Sequence, residues 1–333
     1  MKLNKQLYLV ILMLLMATFI HAQNETDAVR YSQYSQIGTA RSMGMGNAMG
    51  ALGADFSVLS TNPAGLAWFR KSVFELTPGM TKKEVNSLLT NDVKNNVWRE
   101  TKTKFNFHNI GLVRTMYRPG QKVATFNFGI GMNQLADFNR NFYFQGDSKG
   151  SIVNRFQELA NGSDGFDEFE SGVAFDAEAL FDDPQDGYYE SDFDLSPDAL
   201  TTKEQSVQTN GSIKEIVVGM AANVDEKILV GLTMGLPIVS FTERKEYREV
   251  DNGEGDIGNV PTFDDLEYTE YLNTTGGGVN LKMGMIYRMS QAIRLGVAVH
   301  TPTLYEVTDN YYTTMTYNYT LSDTPSQGYA ASP

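Results

Sequence analysis

The sequence predicts an all-β fold, a transmembrane antiparallel β-barrel with an N-terminal plug, and three observations carry that expectation. Several segments alternate apolar with small or polar residues at period two. Tight turns and long connections take turns between those segments, and the chain holds 30 Gly, 17 Tyr and 19 Phe. Period two puts successive side chains on opposite faces of a strand, and aromatic residues favour strands over helices. The absence of cysteine excludes disulfides, thiol catalysis and cysteine-based zinc or iron-sulfur sites. With 27 Lys plus Arg against 40 Asp plus Glu, the net charge of -13 lacks the positive field that neutralises phosphates, so no nucleic-acid partner is expected.

Taken in order, residues 1–22 read as a signal peptide. Lys2 and Lys5 precede an uncharged run from Leu7 to Ile20, and Ala22 offers a small residue at the cleavage point. The run is too short for a spanning helix, which needs about 20 apolar residues. Cleavage would begin the mature chain at Gln23. Residues 23–70 form the expected plug: Gly38 to Trp68 is dense in Gly, Ala and Met and nearly free of alternation. Within it Gly44, Gly46 and Gly50 miss the dinucleotide fingerprint by one residue, and Asn62-Pro63-Ala64-Gly65 marks a turn.

Residues 71–333 are the expected barrel portion, with about seven strands. In Val123 to Asn133 the residues Ala124, Phe126, Phe128, Ile130 and Met132 oppose Thr125, Asn127, Gly129, Gly131 and Asn133. Ile228 to Leu236 sets Ile228, Val230, Leu232 and Met234 against Gly231, Thr233 and Gly235. Val279 to Tyr287 and Ile293 to His300 repeat the pattern, with Lys282, Arg294 and His300 on the small or polar face. Phe105 to Tyr117 and Ile213 to Val224 fit more loosely, and Val73 to Thr77 opens the series. Tight turns at Arg118 to Gln121, Asn223 to Lys227 and Arg288 to Gln291 alternate with long connections at Met80 to Lys104, about 138–211, and Val250 to Asp265. Short turns at one end and long loops at the other are the asymmetry of an outer-membrane barrel, whose lipid face is apolar and whose lumen is polar. Asn127, Gly129, Gly131, Gly231, Gly235, Lys282, Arg294 and His300 are therefore expected to face the lumen. Glycines concentrated on one face either make room for a plug or ligand close to the wall or relieve curvature strain. Gln145 to Asn210 carries 16 acidic residues against three basic ones, which reads as a solvated extracellular loop.

The string GMGNAMGALGADFSVLSTNPAGLA, with Asn62-Pro63-Ala64, resembles the FadL/TodX family of outer-membrane transporters. So do Gly276 to Gly284, Ile293 to Gly296 and His300-Thr301-Pro302-Thr303, and the resemblance spans about Ile37 to Tyr319. It implies a barrel of about fourteen strands in the outer membrane of a Gram-negative bacterium, with an N-terminal hatch in its lumen. It implies passage of long-chain fatty acids or other hydrophobic small molecules, with sideways exit through the wall. Outer-membrane lipid and the barrel assembly machinery are the other partners it implies. Seven strands, and an end at Ala331-Ser332-Pro333 without a terminal aromatic strand, point to an incomplete chain. An alternative from the same family is an interaction or secretion-shuttle barrel that docks exported proteins, with the acidic loop as its surface. No enzyme is expected: His108 and His300 are the histidines beyond the signal, and neither has the neighbours of a catalytic triad. No cofactor or metal is expected, since lone histidines on alternating strands read as polar lumen groups and the acidic spacing lacks a calcium-loop pattern.

Overall fold

The computed structural model describes residues 25–333 apart from 36–37, 92, 163–164, 183–186 and 254–259. The expected signal peptide lies outside the described residues. Among the described residues twelve strands run in chain order: β1 Val73–Ser87, β2 Trp98–Tyr117, β3 Val123–Asp137, β4 Arg140–Lys149, β5 Phe181–Asp182, β6 Tyr189–Glu190, β7 Leu200–Val224, β8 Ile228–Asp251, β9 Phe263–Arg288, β10 Arg294–His300, β11 Leu304–Leu321 and β12 Thr324–Ala331. Ten of them form one antiparallel sheet in the order β1-β2-β3-β7-β8-β9-β11-β12, with β4 also on β7 and β10 also on β9. No helix among the described residues is long and apolar enough to cross a membrane.

Six of the seven expected strands lie within observed ones, and Ile293 to His300 matches β10 except at Ile293; several observed strands continue well past the alternating cores. β8 has 24 residues and β9 has 26, so each is roughly 80 Å or more in length at about 3.4 Å per residue. Crossing the hydrocarbon takes only about 9–11 strand residues. The expected connection Met80 to Lys104 is mostly strand: Val73–Ser87 and Trp98–Tyr117 pair from Val73↔Val113 to Ser87↔Trp98. β3 and β4 lie end to end along one side of β7, interrupted at Phe138 and Asn139. β10 and β11 lie end to end along β9, interrupted at Thr301 to Thr303. The sheet therefore has eight rows, two of them broken, and among the described residues no ladder joins its edges β1 and β12.

The tight turns follow from backbone chemistry. Asp225 and Glu226 between β7 and β8 both have positive φ, as do Ser322 and Asp323 between β11 and β12. That conformation matches the twist of two-residue hairpins. The second of these hairpins was not expected, because the sequence Thr324–Ala331 has little alternation.

The segment read as a solvated acidic loop is folded. It contains β4, helices Ile152–Ala160 and Ser171–Asp176, the β5–β6 hairpin and the start of β7. Val153, Phe156, Val173 and Phe193 join Phe263, Leu266, Tyr268, Met315 and Tyr317 in one buried cluster. Burying that apolar surface offsets the repulsion among the acids, each large side chain contributing about 1.5–3 kcal/mol. The helix Ile152–Ala160 is seated by Glu249, which is fully buried and accepts from the Ser151 hydroxyl, the Tyr247 hydroxyl and the Ile152 backbone N–H at 3.1 Å. Burial pushes the Glu249 carboxyl above its ordinary range, against the lowering effect of those donors. The same burial, together with Glu249, pushes the Tyr247 hydroxyl up. Lys203, held down by burial, donates to the carbonyls of Ser148, Lys149 and Gly150.

Candidate functional site

The two faces of the sheet differ in what covers them. On one face Phe126, Phe128, Ile130, Met220, Val230, Leu232, Met283, Met285, Val297 and Val299 stand exposed in adjacent rows. The opposite face carries residues 38–69 at one end and the acidic insert at the other, with a cavity between. Large contiguous apolar surfaces on a protein mark contact with lipid or another apolar partner.

Residues 38–69 fold through local capping and seat on glycines. Asn62 accepts from the Ala64 N–H at 3.2 Å and donates to the Gly50 carbonyl at 2.6 Å, and Pro63 opens a 3₁₀ helix through Trp68. Gly65 packs on Gly53, where an added Cβ would lie 2.9 Å from the Gly53 Cα. Strand side chains then take the helix's terminal carbonyls. Asn127 donates to Leu66 and Phe69 at 2.6 and 2.9 Å, and Thr125 donates to Ala67 at 2.6 Å. Phe56, Leu59, Leu66 and Ala67 bury against Val113, Val217, Leu229 and Ile286. A Cβ at Gly231 would fall 2.3 Å from the Pro63 carbonyl carbon, one at Gly284 1.9 Å from the Asn62 Oδ1, and one at Gly296 2.2 Å from the Gly50 oxygen. At Gly129 it would meet Leu59, and at Gly131 Phe56 and the Ile110 oxygen. Gly235 differs: a Cβ there would meet Glu215 and Asn280. The backbone thus approaches the sheet more closely than any side chain permits.

Arg294 stacks its guanidinium 4.5 Å from the Trp68 ring centre and donates to the Leu52 carbonyl at 3.3 Å. His300 donates from Nε2 to the Thr61 carbonyl at 2.7 Å. Lys282 is buried against Glu215, whose other carboxylate oxygen accepts from the Ser60 hydroxyl at 2.6 Å. Asn133 donates to that same hydroxyl at 2.8 Å. These contacts make a polar latch between residues 60–61 and strands β3, β7, β9 and β10.

The latch forms one wall of a cavity of about 880 Å³, which also meets Tyr31, Tyr34, Leu135, Tyr305 and Val307. Such a volume is typical of small-molecule sites, which run from roughly 300 to 1,000 Å³. Thr301 and Thr303, in the break between β10 and β11, line it as well. Of the residues the alternation selects, Lys282 and His300 meet at this cavity. Asn127, Gly129, Gly131, Gly231 and Arg294 hold residues 38–69, together with the Asn62-Pro63-Ala64-Gly65 turn, and Gly235 backs Glu215. Sequence reasoning missed Glu215, Tyr31 and Tyr305; the alternation puts Asn280 on the Lys282 face without singling it out, and it too meets the cavity. Glu215 had a signal, as an acid on the Val217, Gly219 and Ala221 face that needs a cation near it. Among the described residues no group of acidic or histidine side chains is arranged to hold a metal ion.

Comparison with family models, characterised proteins and solved structures finds no match to this chain.

Proposed function

We propose that this chain forms the ligand-handling part of a plugged outer-membrane barrel, through which long-chain fatty acids or other hydrophobic small molecules diffuse. The FadL/TodX resemblance supplies the class, and residues 38–69 take the place of the hatch. The observation that carries the reading is the 880 Å³ cavity, where Tyr31, Tyr34, Leu135, Tyr305 and Val307 share the wall with polar and charged side chains, between that segment and the sheet whose other face is exposed and apolar. A lipid-facing wall, a close-fitting plug and a cavity with a partly apolar wall behind it are the parts such a path requires.

The test is binding of a fluorescent fatty acid to the detergent-purified protein, with the Asn62→Ala/Pro63→Ala variant beside it. Saturable binding that weakens in the variant while the sheet stays folded supports the reading. Absence of saturable binding refutes it. Docking of exported proteins draws on a different observation: the folded acidic insert exposes Leu195 and Phe181 on its surface. A pull-down of exported proteins that depends on those two side chains would favour that role instead.

A further inference from the structure

We infer that the tight-turn end of the sheet is a docking surface for the headgroups of anionic phospholipid. This names a lipid class for the proposed barrel and rests on the exposed apolar face meeting a bilayer.

The charges at that end carry the argument first. Segment 70–72 and the turns 118–122, 225–227 and 288–293 hold six basic residues, Arg70, Lys71, Arg118, Lys122, Lys227 and Arg288, against the two acids Asp225 and Glu226. All of the six except Arg288 are exposed. Arg70 alone makes an ion pair among the described residues, a loose one of 4.0 Å with the exposed Glu226. Such a pair neutralises little. Backbone contacts string the groups along one end of the molecule. The Thr115 hydroxyl donates to the Lys71 carbonyl at 3.1 Å, the Asp225 N–H to the Lys122 carbonyl at 2.7 Å, and the Arg288 N–H to the Lys227 carbonyl at 2.8 Å. The cations therefore cap successive rows, about 4.8 Å apart, instead of converging on a point. A line of charges suits a surface of many phosphates, whereas one small anion would need them gathered around it.

The neighbours of these cations make the second, independent point. Val123, Val224, Ile228, Tyr287 and Leu295 are cross-strand partners in a single row. Val123, Ile228, Tyr287 and Leu295 are exposed, and the row ends the apolar face. Lys122, Lys227 and Arg288 each adjoin a member of it in the chain. Apolar surface passing directly into basic surface is the order met on leaving hydrocarbon for phosphate headgroups. An acidic protein partner would not call for the apolar continuation.

The whole chain carries a charge of -13, so an anionic surface should repel it unless the turns present a field of their own. They do, because the acidic insert lies at the other end of strands such as β8 and β9, of 24 and 26 residues. At about 3.4 Å per residue that separation is several times the Debye length of about 8–10 Å.

The experiment is flotation of the purified full chain with vesicles of phosphatidylcholine and with vesicles of equimolar phosphatidylcholine and phosphatidylglycerol, at low and at high salt. At low salt the mixed vesicles are expected to bind at least about tenfold more tightly, and high salt should erase most of the difference. Arg118→Gln/Lys122→Gln/Lys227→Gln should weaken binding to the mixed vesicles at least about fivefold and leave phosphatidylcholine binding unchanged. Lys82→Gln/Arg99→Gln/Arg244→Gln, which removes the same charge from exposed positions farther from the turns, should keep the preference. Equal or weaker binding to the mixed vesicles, or a turn variant that binds as the parent does, would overturn the inference while leaving the lipid contact of the apolar face standing. Binding to neither vesicle would overturn both. An equal loss in the two triple variants overturns the inference, because the preference would then follow total charge. Retention on immobilised polyglutamate through the same three side chains, without a vesicle preference, would assign the turns to an acidic protein instead and overturn it as well.

Discussion

Replacing Gly231 by alanine tests whether residues 38–69 are held on the sheet by backbone contact. The new Cβ would lie 2.3 Å from the Pro63 carbonyl carbon, 2.4 Å from its oxygen and 2.5 Å from the Ala64 nitrogen. None of these is a flexible side-chain tip, so relief requires the 3₁₀ helix Pro63–Trp68 to move outward as a unit. Overpacking of this kind costs about 1–3 kcal/mol. The motion also strains the Thr125 and Asn127 hydrogen bonds to Ala67, Leu66 and Phe69, at about 0.5–1.5 kcal/mol each. We expect Gly231→Ala to loosen the segment by about 2–4 kcal/mol. Gly129→Ala should cost less, because its nearest neighbour is the tip of Leu59 at 2.9 Å, and Gly44→Ala should cost nothing, having no neighbour within 4 Å. Trp68 reports the change directly in a Trp98→Phe background, since Trp68 and Trp98 are the two tryptophans. Tryptic cleavage after the exposed Arg41 gives a second readout. The reasoning fails if Gly231→Ala keeps the parent's Trp68 emission and cleavage rate, or if the three substitutions do not rank in the stated order.

Further predictions follow from burial and charge. Lys282→Met leaves Glu215 buried without its cation and should cost about 3–5 kcal/mol, while Glu215→Gln/Lys282→Met should recover most of the loss; urea titrations of the three variants check this. Leu232→Arg, on the exposed apolar face, should cost about 2–4 kcal/mol in bilayers if that face meets lipid near mid-membrane, as folding titrations would read. Thr233→Arg should be costly in detergent too, because Thr233 is fully buried against the Gly219 position. Glu249 binds its proton more tightly in the folded state than at its ordinary value of 4.5, so its contribution to stability is complete below that value and declines as pH rises above it. Proteolysis of the acidic insert should accordingly quicken from mildly acid to neutral pH, and Glu249→Gln should flatten that dependence.

The fold was legible where period two was sustained. Val123 to Asn133 and Ile228 to Leu236 alternate because one face is apolar and exposed while the other is crowded by residues 38–69. Beyond those cores the alternation fades, yet β8 and β9 continue, because ladder hydrogen bonds and cross-strand pairs such as Lys245 with Glu270 sustain a strand without an apolar stripe. The insert was misread because its charge count hid a helical stripe: Val153, Phe156 and Ala160 stand three and four residues apart and all face its core. At the cavity, Lys282 and His300 stood out as polar residues on a small-residue face. Tyr31 did not, because nothing in Glu25–Ser32 states which distant strand it meets, and Tyr305 lies in β11 beyond the last expected strand.

The latch and its neighbours also dictate a timetable. Arg294 reaches back 242 residues to Leu52, His300 239 residues to Thr61, and Asn62 forward 223 residues to Met285. The first described part of the chain to be synthesised therefore docks among the last, after the middle of the sheet exists. Hairpins such as β7–β8 close over two residues, whereas each of these contacts closes a loop of more than two hundred, and loop closure grows only as the logarithm of length. The delay is thus one of order rather than of prohibitive entropy, because the docking surface is incomplete until β9 and β10 are laid down. Until then Phe56, Leu59 and Leu66 are covered only by what β2, β3, β7 and β8 supply, and part of that apolar stretch stays open during the interval.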